Sequence, residues 1–399
     1  MRSDRFLIFA LAAASFAVIY SSSVIAPLVT QMAAEFDTTA GGIGVVAAAY
    51  AVPGVVMGAV IGPFSDRYGR RPFMVGGLTL LAVGTILSAF APTLFLVIAL
   101  RCAAGFGAPI VLPNMMAAAA DRFSSPRRAR VISTIFIANT MGGLAGIAAS
   151  GFIAQRYGWR AALIGAGVLA LAAAGLAVVA PLQRVAPTIV PFIGHLRRVL
   201  SDRSTLALLG SNFLGVIALQ TWTIYLVVFF ERTYGLERDI ASTYALAQGA
   251  GLLIGTQVGP NLVGRVGPRV ALAVSLVGYG LVVLGITAIP LALVAAAAAI
   301  VAAAILYGLR STSNAVLMTE QLPSARTTVL GLSSTTVQGA QATSALAGGA
   351  ALDGMGFPAI GALCLVSAAA SAALVIGFVK EIDGAGAAES GAGPFVTTT

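Results

Sequence analysis

Apolar runs long enough to cross a bilayer recur along the whole 399-residue chain. About 18 or more consecutive, mostly apolar residues span roughly 30 Å of hydrocarbon when helical. Lipid offers the backbone no hydrogen-bond partner, so each such run must satisfy itself as a helix. Hydrophobic residues make up 58% and charged residues 9% of the chain, whereas soluble domains carry about 25% charged residues. A soluble fold is thereby excluded. The pattern predicts twelve spans, at 6–28, 41–62, 73–91, 93–118, 130–153, 160–181, 205–230, 239–260, 270–288, 291–318, 328–350 and 357–379. The expected fold class is an all-α membrane protein with twelve transmembrane helices.

Basic residues set the orientation. With both termini placed inside, the inner segments hold 17 of the 23 Lys+Arg. The outer loops hold Arg156, Arg160, Arg232 and Arg238, and the remaining two, Arg101 and Arg310, fall inside spans. The net charge of +9 is therefore mostly positive-inside bias, and no basic residues gather on a soluble module that would bind nucleic acid. A multi-pass protein of the cytoplasmic membrane with both termini in the cytoplasm is expected. The first span is too long for a signal-peptide core and lacks a cleavage site. Cys102 and Cys364 lie in spans without nearby ligands, which argues against a metal site or a disulfide. No nucleophile–base set or phosphate loop suggests an enzyme. His195, the single histidine, falls in the long inner loop.

The longest polar interruption, 182–204, separates residues 1–181 from 205–379, six spans on each side, and 380–399 form a Gly/Ala/Thr-rich tail expected to be disordered. Four charges fall in six consecutive positions between spans two and three, in Gly62-Pro-Phe-Ser-Asp66-Arg67-Tyr-Gly69-Arg70-Arg71-Pro72. An echo lies in the second half at Gly259-Pro-Asn-Leu-Val-Gly264-Arg265-Val-Gly267-Pro268-Arg269, with Gly264 in place of the Asp.

The first of these loops resembles the signature loop of the major facilitator superfamily, G-x-L-x-D-R-x-G-R-R/K, departing from it at Phe64. Two further segments strengthen the resemblance. Arg101 followed by Gly105 and Gly107 is similar to the family's fourth-helix motif. Gly142, Gly146 and Gly151 match positions of the fifth-helix antiporter motif, although Ile147 stands at its Pro and Ser150 at its penultimate Gly. The resemblance implies two pseudo-symmetric six-helix bundles, a monomer, and substrate bound near the midplane with access alternating between the two sides. It also implies that Gly62, Asp66, Arg67, Gly69, Arg70 and Arg71 act as a conformational latch, where plain positive-inside anchoring is the alternative. For Arg101 it implies a role in coupling, against which stands a structural bond to carbonyls of the first helix.

An ionisable residue within a span is a candidate for function because its burial is costly. Tyr307, Arg310, Ser313 and Asn314 share one face of the tenth span, which suits either an anion-binding cavity wall or a guanidinium snorkelling to the inner surface. Other cavity candidates are Tyr20, Tyr50, Asn139, Asn212, Gln220, Trp222, Tyr225, Gln248, Gln338 and Gln341, with interhelical packing as the alternative for each. No Asp or Glu falls mid-span; Asp239, Glu320 and Asp353 come nearest. Proton coupling, which usually needs a buried carboxylate or His, follows from the resemblance alone, and no other cofactor is expected. The expected function is export of small amphipathic compounds, as the resemblance to twelve-helix drug:proton antiporters implies, with carriage of a small organic anion bound by Arg310 and Arg101 as the alternative.

Overall fold

A computed structural model describes residues 2–182, 192–321 and 326–379. The side chains of 58–67 and 192–196 are among those outside the described set, so nothing is stated for Gly62, Asp66, Arg67 or His195 beyond the helices that contain them. The expected tail, 380–399, also lies outside the described residues.

All regular structure in the described residues is helical. The order is α1 Arg2–Ser23, a 3-10 turn at Ala26–Leu28, α2 Val29–Glu35, α3 Ala40–Tyr68, α4 Arg70–Ser88, α5 Leu94–Gly105 and α6 Gly107–Arg122. There follow α7 Ser125–Val179, α8 Phe192–Ser201, α9 Arg203–Tyr234, α10 Arg238–Val266, α11 Pro268–Ala288, α12 Leu293–Glu320, α13 Arg326–Met355 and α14 Phe357–Phe378. Each expected span has its helix, with two differences. The fourth span is broken into α5 and α6 at Phe106. Pro109 has no N–H to offer the carbonyl of Gly105, four residues earlier, and Gly105 and Gly107 add no stiffness. Spans five and six run together in α7, which turns at Gly158 (φ 82°, ψ 162°). An additional helix, α8, forms inside the polar interruption.

The turn at Gly158 recurs. Gly69 (φ 91°, ψ 151°), Gly267 (φ 79°, ψ 155°) and Gly356 (φ 76°, ψ −164°) join α3 to α4, α10 to α11 and α13 to α14 in nearly the same conformation. Positive φ favours glycine, which has no Cβ to clash. Four equivalent glycine hinges, each between the second and third span of a triplet, are the structural trace of a three-helix unit used four times.

Helices approach closely through small residues. A Cβ on Gly142 would stand 2.5 Å from the Phe16 carbonyl oxygen, and one on Gly105 would stand 2.2 Å from that of Tyr50. The fifth-helix and fourth-helix glycines thus bring α7 onto α1 and α5 onto α3. Large apolar side chains such as Phe95, Val294 and Val366 are 65–82% exposed on the outer surface, where lipid would cover them.

The two halves meet along α3–α13 and α7–α10. Gly41 lies against the Gly349 carbonyl and Asp353, Gly44 against the Ala345 carbonyl, Gly54 against Gln338, and Gly151 against Ser242. This seam follows α3 for about 20 Å from its arginine-poor end. The cross-half bonds of Thr39 and Gly41 with Asp353, of Thr30 with Arg238 and of Ser22 with Gln341 lie at that end or along the seam.

Candidate functional site

The polar centre of the second half is built where α9, α12 and α13 converge. Arg310 is 3% exposed. Its Nη2 donates to Asn212 Oδ1 at 2.9 Å and its Nη1 to the Tyr307 hydroxyl at 3.1 Å. The guanidinium lies 5.2 Å from the Tyr307 ring centroid, which in turn meets Tyr279 edge-on at 5.5 Å. Asn212 is fixed from its other side, donating to Ser333 Oγ (3.2 Å) and Thr336 Oγ1 (3.1 Å), and it accepts a third bond from Asn314 Nδ2 (3.3 Å). Gly215, one turn along α9, makes room: its Cβ would sit 2.9 Å from Arg310 Nη2. The guanidinium is turned inward, held by an amide on a neighbouring helix.

No acid pairs with Arg310 among the described residues: its partners are an amide, a phenol and a backbone carbonyl, its Nε has no partner, and Asn314 Oδ1 is also unpaired. A buried cation without a counter-charge is expensive, and a planar fork with free donors suits a carboxylate. Tyr307, Arg310 and Asn314 are brought together as the shared face predicts, while Ser313 turns to the Leu309 carbonyl.

Arg101 forms a second buried cation, in the first half. It is 0% exposed. Its Nη2 donates to the Ser21 carbonyl on α1 at 3.0 Å, and its guanidinium lies 4.4 Å from the Tyr50 ring centroid. Nε and Nη1 have no partner. The bond to a first-helix carbonyl is the structural alternative weighed above, and the two free donors leave room for a further ligand.

The remaining cavity candidates separate by environment. Tyr20 accepts a bond from Ser150, and Gln341 donates to Ser22 Oγ across the halves. Tyr225 donates to the Ala345 carbonyl beside Gly44; Trp222 is buried against Phe229; Gln338 packs on Gly54. These three belong to the close-packed seam or its support rather than to the Arg310 cluster. Gln248 bonds Thr223. Asn139 and Gln220 are half-buried.

In the signature loop, Arg70 pairs with Asp121 (2.5 Å) and Arg71 donates to the Ala180 carbonyl (2.6 Å) at the end of α7. Both contacts stay within the first half, as do those of Arg122 and Arg127 with Asp4. Gly107 seats α6 on α4 at the Gly77 carbonyl, and Gly146 seats α7 on Tyr20.

Two cross-half contacts at the arginine-poor end were not expected from the sequence. Asp353 accepts from Thr39 Oγ1 (2.6 Å) and from the Gly41 amide (3.2 Å), capping α3 with a carboxylate from α13. Glu231 pairs with Arg238 (3.0 Å), both about one-eighth exposed, and Arg238 also donates to Thr30 Oγ1 (2.6 Å) in the first half. No group of metal-ligating side chains occurs among the described residues.

Comparison with known proteins places this geometry. A family model described as Major Facilitator Superfamily matches residues 11–345. Among curated relatives, the "Uncharacterized MFS-type transporter YtbD" of Bacillus subtilis (strain 168) is 24% identical over 260 residues, 64% of this chain and 65% of its own length. The "Multidrug resistance protein B homolog" of Mycobacterium tuberculosis (strain CDC 1551 / Oshkosh) is 31% identical over 96 residues, 24% of this chain and 18% of that protein. The "4-hydroxybenzoate transporter PcaK" of Pseudomonas putida is 29% identical over 152 residues, 37% and 32% of the two chains. The match spans less than two thirds of each relative. Among solved structures, the nucleoside transporter NupG superposes with a TM-score of 0.74 at 16% identity, covering 93% of this chain and 98% of that one, a likeness of fold.

Proposed function

This chain belongs to the Major Facilitator Superfamily and is a membrane transporter rather than an enzyme, and on that premise we propose that it carries a small organic anion by alternating access, with Arg310 holding the anionic group. The observation that carries this reading is the fully buried Arg310, fixed by neutral partners and left with a free Nε. A carboxylate arriving at that fork would supply the missing charge and bond. Arg101, also uncompensated, gives the first half a matching positive centre. The printed substrate of the PcaK relative, an aromatic acid at neutral pH, belongs to the same chemical class.

Alternating access requires that one end be shut while the other is open. The seam of Gly41, Gly44 and Gly151, together with Asp353–Thr39 and Arg238–Thr30, holds the arginine-poor end closed. With the arginine-rich end in the cytoplasm, the state described is closed to the outside. Residues 1–181 and 205–379 are the two moving bodies, a single chain is the functional unit, and Asp66 with its arginines holds the opposite state. Glu231, a half-buried carboxylate paired with Arg238 at the arginine-poor end, is the group we assign to any proton coupling.

Export of amphipathic compounds is the second reading. The fourth-helix and fifth-helix motifs and the short match to the multidrug resistance homologue favour it. A thermal-shift panel of organic anions and lipophilic cations on purified wild type and Arg310→Gln separates the two. A ligand at about 100 times its Kd adds roughly 2.7 kcal/mol of stability. Stabilisation by anions that vanishes in Arg310→Gln is the expected result. Stabilisation by cations or neutral amphiphiles that survives in the variant would reject the anion reading in favour of export.

A further inference from the structure

At the arginine-rich end, a cavity of about 600 Å³ opens between the start of α9, the start of α11 and the end of α14, lined by Ser201, Asp202, Arg203, Ser204, Arg269 and residues 377–379. Neither the transport site nor the signature loop reaches it. Two arginines from different helices line it. Arg269 is oriented by a bond from Nη2 to the Ile376 carbonyl (2.6 Å), and its Nε is without a partner. Arg203 is exposed and makes no ion pair among the described residues. The one acid in the lining is already engaged: Asp202 caps α9, accepting from the Thr205 amide (2.8 Å) and hydroxyl (2.5 Å). The Ser201 and Ser204 hydroxyls donate to the Arg197 carbonyl and to Gln321 Oε1, which leaves the arginines as the donors available to a ligand.

The surroundings are apolar on one flank. Ile376, whose carbonyl positions Arg269, is 49% exposed, and Phe378 is 61% exposed. On the other flank α8 ends at the rim, with Val199 buried and Arg197 and Arg198 exposed. A cationic pocket between helix ends at a membrane surface, polar in its floor and apolar beside it, fits a ligand that is itself anionic at one end and acyl at the other. We propose that this cavity binds the phosphate-bearing headgroup of an anionic phospholipid, with Arg203 and Arg269 on the phosphate and the acyl chains along Ile376 and Phe378. The inference rests on the chain's place in a bilayer and is independent of the transported substrate.

Native mass spectrometry of the full-length protein with phosphatidylglycerol and phosphatidylcholine tests it, with soluble glycerol 3-phosphate as competitor. One arginine near the headgroup is worth about 1 kcal/mol, or about fivefold. The preference for phosphatidylglycerol should fall about fivefold in Arg203→Gln, about 25-fold in Arg203→Gln/Arg269→Gln, and not at all in Arg156→Gln/Arg232→Gln, which removes two charges at the opposite end. Arg203→Gln alone touches no described partner, so its result stands even where the double variant is poorly folded. Equal binding of the two lipids, a preference that survives both Arg203→Gln and the double variant, or an equal fall in the opposite-end control would overturn the proposal. Displacement of phosphatidylglycerol by equimolar glycerol 3-phosphate would overturn the lipid assignment and leave a soluble phosphate as the ligand.

Discussion

A methyl group placed at Gly44 should open the arginine-poor end of the protein. Gly44 lies on α3, where its missing Cβ would stand 2.4 Å from the Ala345 carbonyl oxygen of α13 and 2.4 Å from the Tyr225 hydroxyl. An ordinary contact of 3.4 Å demands that the partner recede by about 1 Å, and the partner includes backbone. Overpacking of this kind costs about 1–3 kcal/mol. Because the clash lies between halves, the cheapest relief is separation of the halves rather than unfolding of either. The ratio of open to closed states at this end should therefore rise about 5- to 150-fold in Gly44→Ala. Two other alanines calibrate the argument. Gly105→Ala meets the Tyr50 carbonyl at 2.2 Å within one half, so it should lower the melting temperature and leave the halves where they are. Gly76→Ala meets nothing within 4 Å and should be neutral. The assay is double electron–electron resonance between spin labels on the exposed positions Gln155 and Thr233, with Cys102 and Cys364 replaced. An unchanged distance distribution in Gly44→Ala, or an equal shift in Gly105→Ala, would refute the idea that this glycine seam sets the equilibrium.

Three further outcomes follow from the same contacts. Asn212→Asp sets a carboxylate where Arg310 already finds its 2.9 Å acceptor; it should preserve folding and weaken anion binding more than tenfold by titration calorimetry, and retention of wild-type affinity would remove Arg310 from the site. Asp353→Asn weakens the cap on Thr39 and Gly41, and hydrogen bonds to charged groups are worth about 1.5–3 kcal/mol. Faster hydrogen exchange at the first turn of α3 is expected, and unaltered exchange there would count against the cap. Asp66→Asn should express normally yet transport poorly into sealed vesicles, and normal flux would reduce the signature loop to an anchor.

The helices were legible because the bilayer imposes length and apolarity on every span, and the Arg310 face was legible because helical periodicity fixes which residues share a side. Its partner was legible only as a type. Asn212 stood among the polar candidates, but nothing local says that α9 turns it toward α12. The break at Phe106 could have been anticipated from Pro109 and the carbonyl it leaves free at Gly105. The fourfold hinge is also legible: Arg67-Tyr68-Gly69-Arg70-Arg71 recurs as Arg156-Tyr157-Gly158-Trp159-Arg160, beside the echo at 259–269. Asp353 on Thr39 and Arg238 on Thr30 were out of reach. Each joins residues more than 200 positions apart, and helix rotation, which composition does not encode, decides whether they meet.

The distribution of charge gives the anion reading its physical weight. A site evolved for cations would bury carboxylates at its centre, yet the acids whose contacts are described sit at the ends: Asp4, Asp121 and Asp202 at one, Glu35, Glu231, Asp239 and Asp353 at the other. The centre holds two guanidiniums instead, and they are not equivalent. Arg101 is pressed onto an aromatic ring and a helix carbonyl through the close approach that Gly105 allows, so its position is dictated by packing within one half. Arg310 is suspended from an amide that is itself held by two hydroxyls, a softer cradle in which an incoming carboxylate can replace a neutral acceptor. On the anion reading, a carboxylate at Arg310 would supply the counter-charge that its neutral partners do not, and it would favour whichever arrangement of the two halves gives it the better contacts, which is the coupling between binding and movement that a carrier requires.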